Sequence, residues 1–187
     1  MVERDIFDEV VTGVAERAKK IKLGPGLDPH TEMGPLVSKE QLQRVTNYLH
    51  QGKQDGACYV TGGAQASDRG YFVQPTVVKD VKPQMSIVRE EIFGPVVVAE
   101  PFTKPEEVIA RANATDYGLA AGIWTRDISK AHRIAAELKA GTVWINCYNV
   151  FDAALPFGGY KQSGWGREMG HEALEHYTET KAVVIGL

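Results

Sequence analysis

Residues 147–166 hold the densest set of side chains suited to chemistry. Tyr148, Phe151, Phe157, Tyr160 and Trp165 are interleaved with Gly158, Gly159, Gly164 and Gly166, and no helix or strand period runs through them. Aromatic rings supply an apolar wall, and glycines let backbone approach a ligand closely. The same composition also suits a loop that packs on its own core. A second candidate is Arg89-Glu90-Glu91-Ile92-Phe93-Gly94-Pro95. A carboxylate there can accept from both hydroxyls of a ribose while Phe93 offers a flat face to a ring. The plain alternative is a solvated pair of glutamates on a turn.

Other patterns point away from chemistry. Gly164-Trp165-Gly166-Arg167-Glu168-Met169-Gly170 is one residue off the dinucleotide fingerprint and follows a loop, so it is no phosphate cradle. His30, His50, His132, His171 and His176 show no metal-ligand spacing, and the last two read as helix surface. No metal is expected. Cys58, beside Tyr59 and Val60 in a short strand, reads as a buried inert thiol. Cys147 sits at a strand end next to the aromatic loop, but no histidine or helix N-terminus is evident to lower its pKa. A nucleophilic role is the lesser reading there.

The elements that must position these residues follow from periodicity. Residues 3–22 place Ile6, Phe7, Val10, Val11, Val14, Ala18 and Ile21 on one helical face, with acids first and bases last. Ser38 caps a second helix running to about residue 52, with Gln41 at the capping-box position. Strands are expected over 57–61, over 71–81 with Pro75 forcing an edge or bulge, and over 96–99 as an apolar run buried on both faces. Pro105 opens a helix. Strand 119–125, helix 128–139 and strand 142–146 follow, then the aromatic segment, a helix over 168–176 and a last strand over 182–185. Alternation of strand and helix predicts an α/β fold, a mostly parallel sheet flanked by helices.

Composition excludes several classes. The 187 residues are 43% hydrophobic and 24% charged, with 21 basic against 24 acidic side chains. A net charge of −3 gives no bulk attraction to nucleic acid or anionic lipid. No apolar run approaches the roughly 20 residues of a membrane span. Two cysteines, Cys58 and Cys147, make no disulfide framework. The expected setting is cytoplasmic, and a chain of this length buries roughly 70% of its unfolded surface.

The motifs themselves resemble a known family. Glu90-Glu91-Ile92-Phe93-Gly94-Pro95-Val96, Asn113-Ala114-Thr115-Asp116-Tyr117-Gly118-Leu119 and Gly141-Thr142-Val143-Trp144-Ile145-Asn146 look like blocks of the aldehyde dehydrogenase superfamily. So do Pro156-Phe157-Gly158-Gly159-Tyr160-Lys161-Gln162-Ser163-Gly164, then Gly166-Arg167-Glu168, and the closing Tyr177-Thr178-Glu179-Thr180-Lys181. They stand in family order across the chain and are most similar to the betaine and phenylacetaldehyde dehydrogenases. The resemblance implies oxidation of an aldehyde to a carboxylic acid with NAD or NADP. In that chemistry a cysteine forms a thiohemiacetal and a glutamate-activated water releases the acid.

By the same resemblance, Glu91 binds the nicotinamide ribose hydroxyls and Phe93 lies beside the nicotinamide. Phe151 and Phe157 wall the aldehyde tunnel, with Asn149 at its mouth. Cys147 matches a position near the tunnel and not the nucleophile. Residues 1–179 then correspond to a carboxy-terminal part of the catalytic domain, and residues 180–187 to an oligomerisation strand. The nucleophile, the general base and the coenzyme domain are expected outside these residues, so the chain alone is expected to be inactive and to hold no coenzyme tightly. The expected partners are an aldehyde in the complete enzyme and a second copy through the final strand. A non-catalytic module that pairs with full-length subunits is the alternative.

Overall fold

A computed structural model describes all 187 residues, which gather into two compact units, Met1–Thr103 and Lys104–Leu187. In the first, β1 (Val2–Glu3) and a 3₁₀ turn (Arg4–Ile6) lead into α1 (Phe7–Lys20). Then come α2 (Lys39–Gln54), β2 (Cys58–Thr61), β3 (Thr76–Lys79), α3 (Ser86–Arg89), β4 (Val96–Val98) and β5 (Pro101–Phe102). A three-stranded sheet of order β2-β3-β4 is antiparallel at its first pairing and parallel at its second, while β1 pairs in parallel with β5.

The helices sit where their apolar faces require. Phe7, Val11 and Ala15 recur every four residues, are buried, and cluster with Val77 of β3 and Ala99. Asp8 and Glu9 stand in the first turn of α1, and Arg17, Lys19 and Lys20 in its last, each sign at the dipole end it favours. Val45 and Leu49 of α2 join Val73, Val78, Met85, Ile87 and Ile92 in the larger core cluster. Removing a side chain of this kind from water is worth roughly 1.5–3 kcal/mol. Ser38 is in extended conformation and its Oγ accepts from Gln41 N at 3.2 Å, so the cap legible in the sequence forms.

The second unit begins with α4 (Pro105–Asn113), with proline in the first turn, where its missing N–H costs nothing. β6 (Tyr117–Gly118), β7 (Ala120–Ile123), α5 (Ile128–Glu137), β8 (Thr142–Ile145) and β9 (Tyr160–Lys161) follow. β7, α5 and β8 form a β-α-β unit with Ala120 opposite Thr142 and Ile123 opposite Ile145, and β6 pairs with β9 antiparallel. Asp127 caps α5 by accepting from Lys130 N at 2.9 Å.

The fold is thus mixed α/β, with parallel pairs in the majority but spread over four small sheets instead of one. Strands of two to four residues explain this, since each ladder ends before a further strand can join. Several local expectations change. Val97 of β4 is in register with Val77 and shares the face on which α1 packs over β2 and β3, but at the edge of the sheet it is 52% exposed, so the run is not buried on both faces. Pro75 precedes β3, which is the central strand; the bulge lies in β2 between Tyr59 and Thr61. Cys58 is exposed, not buried, because it starts β2 opposite Lys79 beyond the core. The helix expected over 168–176 is a 3₁₀ segment, His171–Tyr177, entered through Gly170 at φ 65°. Residues 178–187 hold no regular structure, and Val183, Val184 and Ile185 are exposed.

Candidate functional site

Glu91 and Phe93 lie on the turn between α3 and β4. Ile92 between them is buried in the core cluster, which fixes the side on which its neighbours emerge. Phe93 has φ 58°, in the left-handed region, and the residue is 72% exposed. A bulky residue held there costs on the order of 1–3 kcal/mol, so the surroundings must enforce it. They do so from α2. Gln41 Nε2 donates to the carbonyls of Ile92 (3.1 Å) and Phe93 (2.8 Å), and Arg44 Nη2 donates to that of Glu91 (2.9 Å). Gly94 completes the fit, because a Cβ there would stand 2.7 Å from Val45 Cγ2.

The glutamate pair is not equivalent. Glu90 Oε2 accepts from Tyr48 Oη at 2.7 Å, and this bond, with burial, pushes the phenol above its usual range. The Arg44 guanidinium lies 5.7 Å above the Tyr48 ring. Both glutamates are exposed, but no hydrogen bond or ion pair engages the Glu91 carboxylate. An open groove of about 1000 Å³ runs along α2 past Lys39, Arg44, Tyr48 and Glu90, and the turn bearing Glu91 and Phe93 flanks it without lining it. Its charges are of both signs, so it selects no ion.

In the second unit the aromatic segment is organised by Trp144, which is buried at the end of β8. Its Nε1 donates to the Val150 carbonyl at 2.9 Å, and its ring meets Tyr148 (5.1 Å) and Phe151 (5.6 Å) edge to face. Phe151 in turn meets Phe157 at 5.1 Å and 81°. Such pairs add ~0.5–1.5 kcal/mol beyond the area they bury. Two of the expected tunnel residues, Phe151 and Phe157, are therefore in contact, and Phe151 is 50% exposed. Asn149 is exposed at φ 54°.

Much of the remaining motif content is scaffold. Lys161 Nζ donates to the carbonyls of Asn113 and Thr115, both at 2.9 Å, tying together segments 46 and 48 residues apart. Asn113 Oδ1 accepts from Lys139 N, and Ser163 Oγ accepts from Gly118 N. Asn146 brackets Thr125, taking its N–H and donating to its carbonyl. Arg167 Nη1 donates to the carbonyls of Gly159 and Gly166, and Arg167 N donates to His176 Nε2. These glycines are close-approach points of a folded loop.

The sequence profile of the Aldehyde dehydrogenase family matches residues 1–183. The chain belongs to the aldehyde dehydrogenase family. It is 50% identical over 186 residues to the betaine aldehyde dehydrogenase of Cereibacter sphaeroides (strain ATCC 17025), covering all of this chain and 38% of that one. It is also 50% identical to the human mitochondrial aldehyde dehydrogenase, covering 98% and 36%. The NAD+ complex of an aldehyde dehydrogenase from Bacillus cereus superposes with a TM-score of 0.95 at 58% identity, covering 97% of this chain and 37% of that one. The chain therefore spans little more than a third of the length of the aldehyde dehydrogenases it matches.

Within this aldehyde dehydrogenase chain, Cys58 is exposed and Cys147 half-buried, and no hydrogen bond joins either thiol to a histidine. No three His, Cys, Asp or Glu side chains converge to hold a metal, and no helix is long and apolar enough to cross a membrane. Gln41, Arg44, Tyr48 and Trp144 shape the two candidate regions, and none was a site candidate by residue type. For Gln41 the capping-box spacing was a misleading signal, since its amide nitrogen is used across the turn.

Proposed function

We propose that this chain provides part of the coenzyme- and aldehyde-binding surface of an NAD(P)-dependent aldehyde dehydrogenase, as a carboxy-terminal portion of its catalytic domain. The observation that carries the reading is the division of labour in the glutamate pair. Both carboxylates are exposed, but Glu90 is engaged by Tyr48, while the adjacent Glu91 carboxylate takes no hydrogen bond and has an exposed, fixed Phe93 two residues on. Two acceptor oxygens suit the two vicinal hydroxyls of a ribose, and a neighbouring ring suits a planar heterocycle. That the B. cereus relative was solved with NAD+ supports the assignment. When bound, the dinucleotide accepts the hydride that leaves the aldehyde carbon.

In this reading Glu91 orients the ribose and Phe93 limits where the nicotinamide ring can move. Both act by positioning, which converts an encounter into an aligned reaction. Phe151 and Phe157 supply apolar wall for the aldehyde, with Asn149 as a polar group at its edge. Neither Cys58 nor Cys147 is the nucleophile, so the covalent step needs residues beyond these 187. Residues 180–187, apolar and unpaired in the single chain, pair with an edge of a second subunit.

A titration of the chain with NAD+, followed by NMR at Glu91 and Phe93, tests the coenzyme role. Saturable shifts are expected in the parent, with affinity at least about tenfold weaker in E91Q, the loss of a hydrogen bond to a charged group. Equal binding by E91Q removes Glu91 from the site. Incubation of the chain with NAD+ and betaine aldehyde should yield no NADH; production abolished by C58S or C147S would place the nucleophile within this chain.

A further inference from the structure

We infer that His176 is a positioning residue for the aldehyde wall: as a neutral imidazole with its proton on Nδ1, it latches the segment that pairs with Phe157. The inference rests on the proposed aldehyde role only for what Phe157 presents; the latch itself stands on geometry. Phe157 and Glu168 exchange both backbone hydrogen bonds, each at 2.7 Å. The residue before Glu168 gives its own N–H to the histidine, from Arg167 N to His176 Nε2 at 3.2 Å. Accepting that N–H takes the lone pair of Nε2, so the ring proton must sit on Nδ1.

The backbone around this bond is under enough constraint to feel it. Met169 and Gly170 both take left-handed conformations, at φ 60° and 65°, and turn the chain back so that residues 171–177 meet residues 166–167. A methionine in that region must be held by its surroundings. Glu168 before it is held by Phe157, and Gly170 after it donates from N to Ala153 O at 2.9 Å. His176 is the third tie. Its ring abuts Gly166, where a Cβ would stand 2.9 Å from Nε2.

Protonation turns the contact round. Both nitrogens of a charged imidazole are donors, so Nε2–H would then face Arg167 N–H with no acceptor between them. Arg167 Nη1 is fixed on the Gly166 carbonyl at 2.6 Å, so like charge stands beside the residue that the ring abuts. The charged or titratable groups on the two segments are Arg167 and Glu168 on one side, and His171, Glu172, Glu175 and Tyr177 on the other. None forms an ion pair with His176, so no carboxylate keeps the charged ring in place. The segment that holds Phe157 then loses a tie.

NMR of the labelled whole chain tests this. At about pH 8, where an imidazole is neutral, His176 should show Nδ1 protonated and Nε2 bare. Nε2 protonated there overturns the inference. Between about pH 8 and about pH 5, the span over which imidazoles change charge, the Arg167 and Glu168 amides and the Phe157 ring should shift in step with His176. H176Q keeps an acceptor and gains no proton, so it should keep the alkaline signals and lose the step. H176L should show the loosened signals throughout, with Arg167 amide exchange about two- to tenfold faster, the loss of one hydrogen bond. H171Q should keep the step. A step of undiminished size in H176Q, or parent-like signals in H176L, overturns the latch. Should H176L fail to fold, H176Q against the parent gives the same reading. Phenylacetaldehyde is then added to the parent and to each variant. Binding at Phe151 and Phe157 that weakens as the latch is lost supports the inference. Equal binding by parent and loosened variant overturns the claim that the latched segment is the presenting one. If the parent shows no response to the aldehyde while the step in pH still follows His176, the aldehyde role fails and the latch stands.

Discussion

Phe93 in the first unit and Asn149 in the second share a left-handed backbone, at φ 58° and 54°, and reach it by opposite routes. Asparagine tolerates that region because its short polar side chain suits it, so Asn149 can sit on an exposed loop without a dedicated clamp. Phenylalanine does not, and its turn is held by three hydrogen bonds from α2 and by the close approach of Gly94 to Val45. The wider regions differ in the same way. Directional polar contacts to backbone govern the turn at Glu91, whereas ring edges govern the segment around Phe151 and Phe157. Hydrogen bonds fix orientation; apolar packing fixes place and leaves some freedom of angle. The first suits a group that must point at defined hydroxyls, the second a wall that must only exclude water.

The largest test of that contrast is W144A. Trp144 joins contacts with two rings to one hydrogen bond at the base of the aromatic segment. Its loss should lower the stability of the second unit by about 3–5 kcal/mol, read from urea unfolding by circular dichroism. A loss below about 1 kcal/mol would show that the rings only lie on the surface.

A middle-sized effect is expected at G94A. The new methyl meets Val45, which is fully buried and β-branched, so overpacking should cost about 1–3 kcal/mol in the first unit. The V45A/G94A pair should lose less than the sum of the two single variants, because each relieves the other. Strict additivity would break the claim that the turn closes onto α2.

The smallest effect concerns pH. Tyr48 is held above the ordinary tyrosine value of 10.0, first by its bond to Glu90 and then by burial. A raised folded pKa stabilises the fold below the unfolded value, and that share is lost as pH rises through the folded one. The first unit should therefore weaken modestly in strong alkali, and E90Q should shrink the effect. A Tyr48 carbon-13 titration at or below the ordinary value would show that Glu90 is as free as Glu91, removing the asymmetry on which the site reading depends.

How far the site was legible in the sequence can be judged at particular residues. Ser38 was readable as a cap because capping is local: a hydroxyl bonds an N–H three residues on. Pro105 and the buried face of α1 were readable for the same reason. Gln41 was not, since the spacing that marks a capping box says nothing of carbonyls 51 and 52 residues away. Glu90 and Glu91 were distinguishable only by resemblance, because their neighbours in sequence are nearly the same. Val97 was misjudged as buried, as a run of valines does not reveal how far the helix packed on a sheet face extends toward its edge. Lys161 stood in the sequence only as part of a motif, and the structure shows its ammonium serving two backbone carbonyls.

The sequence by itself determined the four longer helices, the Ser38 cap, the family and the order of its motifs, all of which depend on interactions within a few residues or on motif identity. Only the tertiary structure decided which glutamate a tyrosine engages, how a phenylalanine comes to hold a left-handed turn, and how short ladders divide into separate sheets. These depend on donors and neighbours brought together across tens of residues, where spacing along the chain carries no information about direction in space.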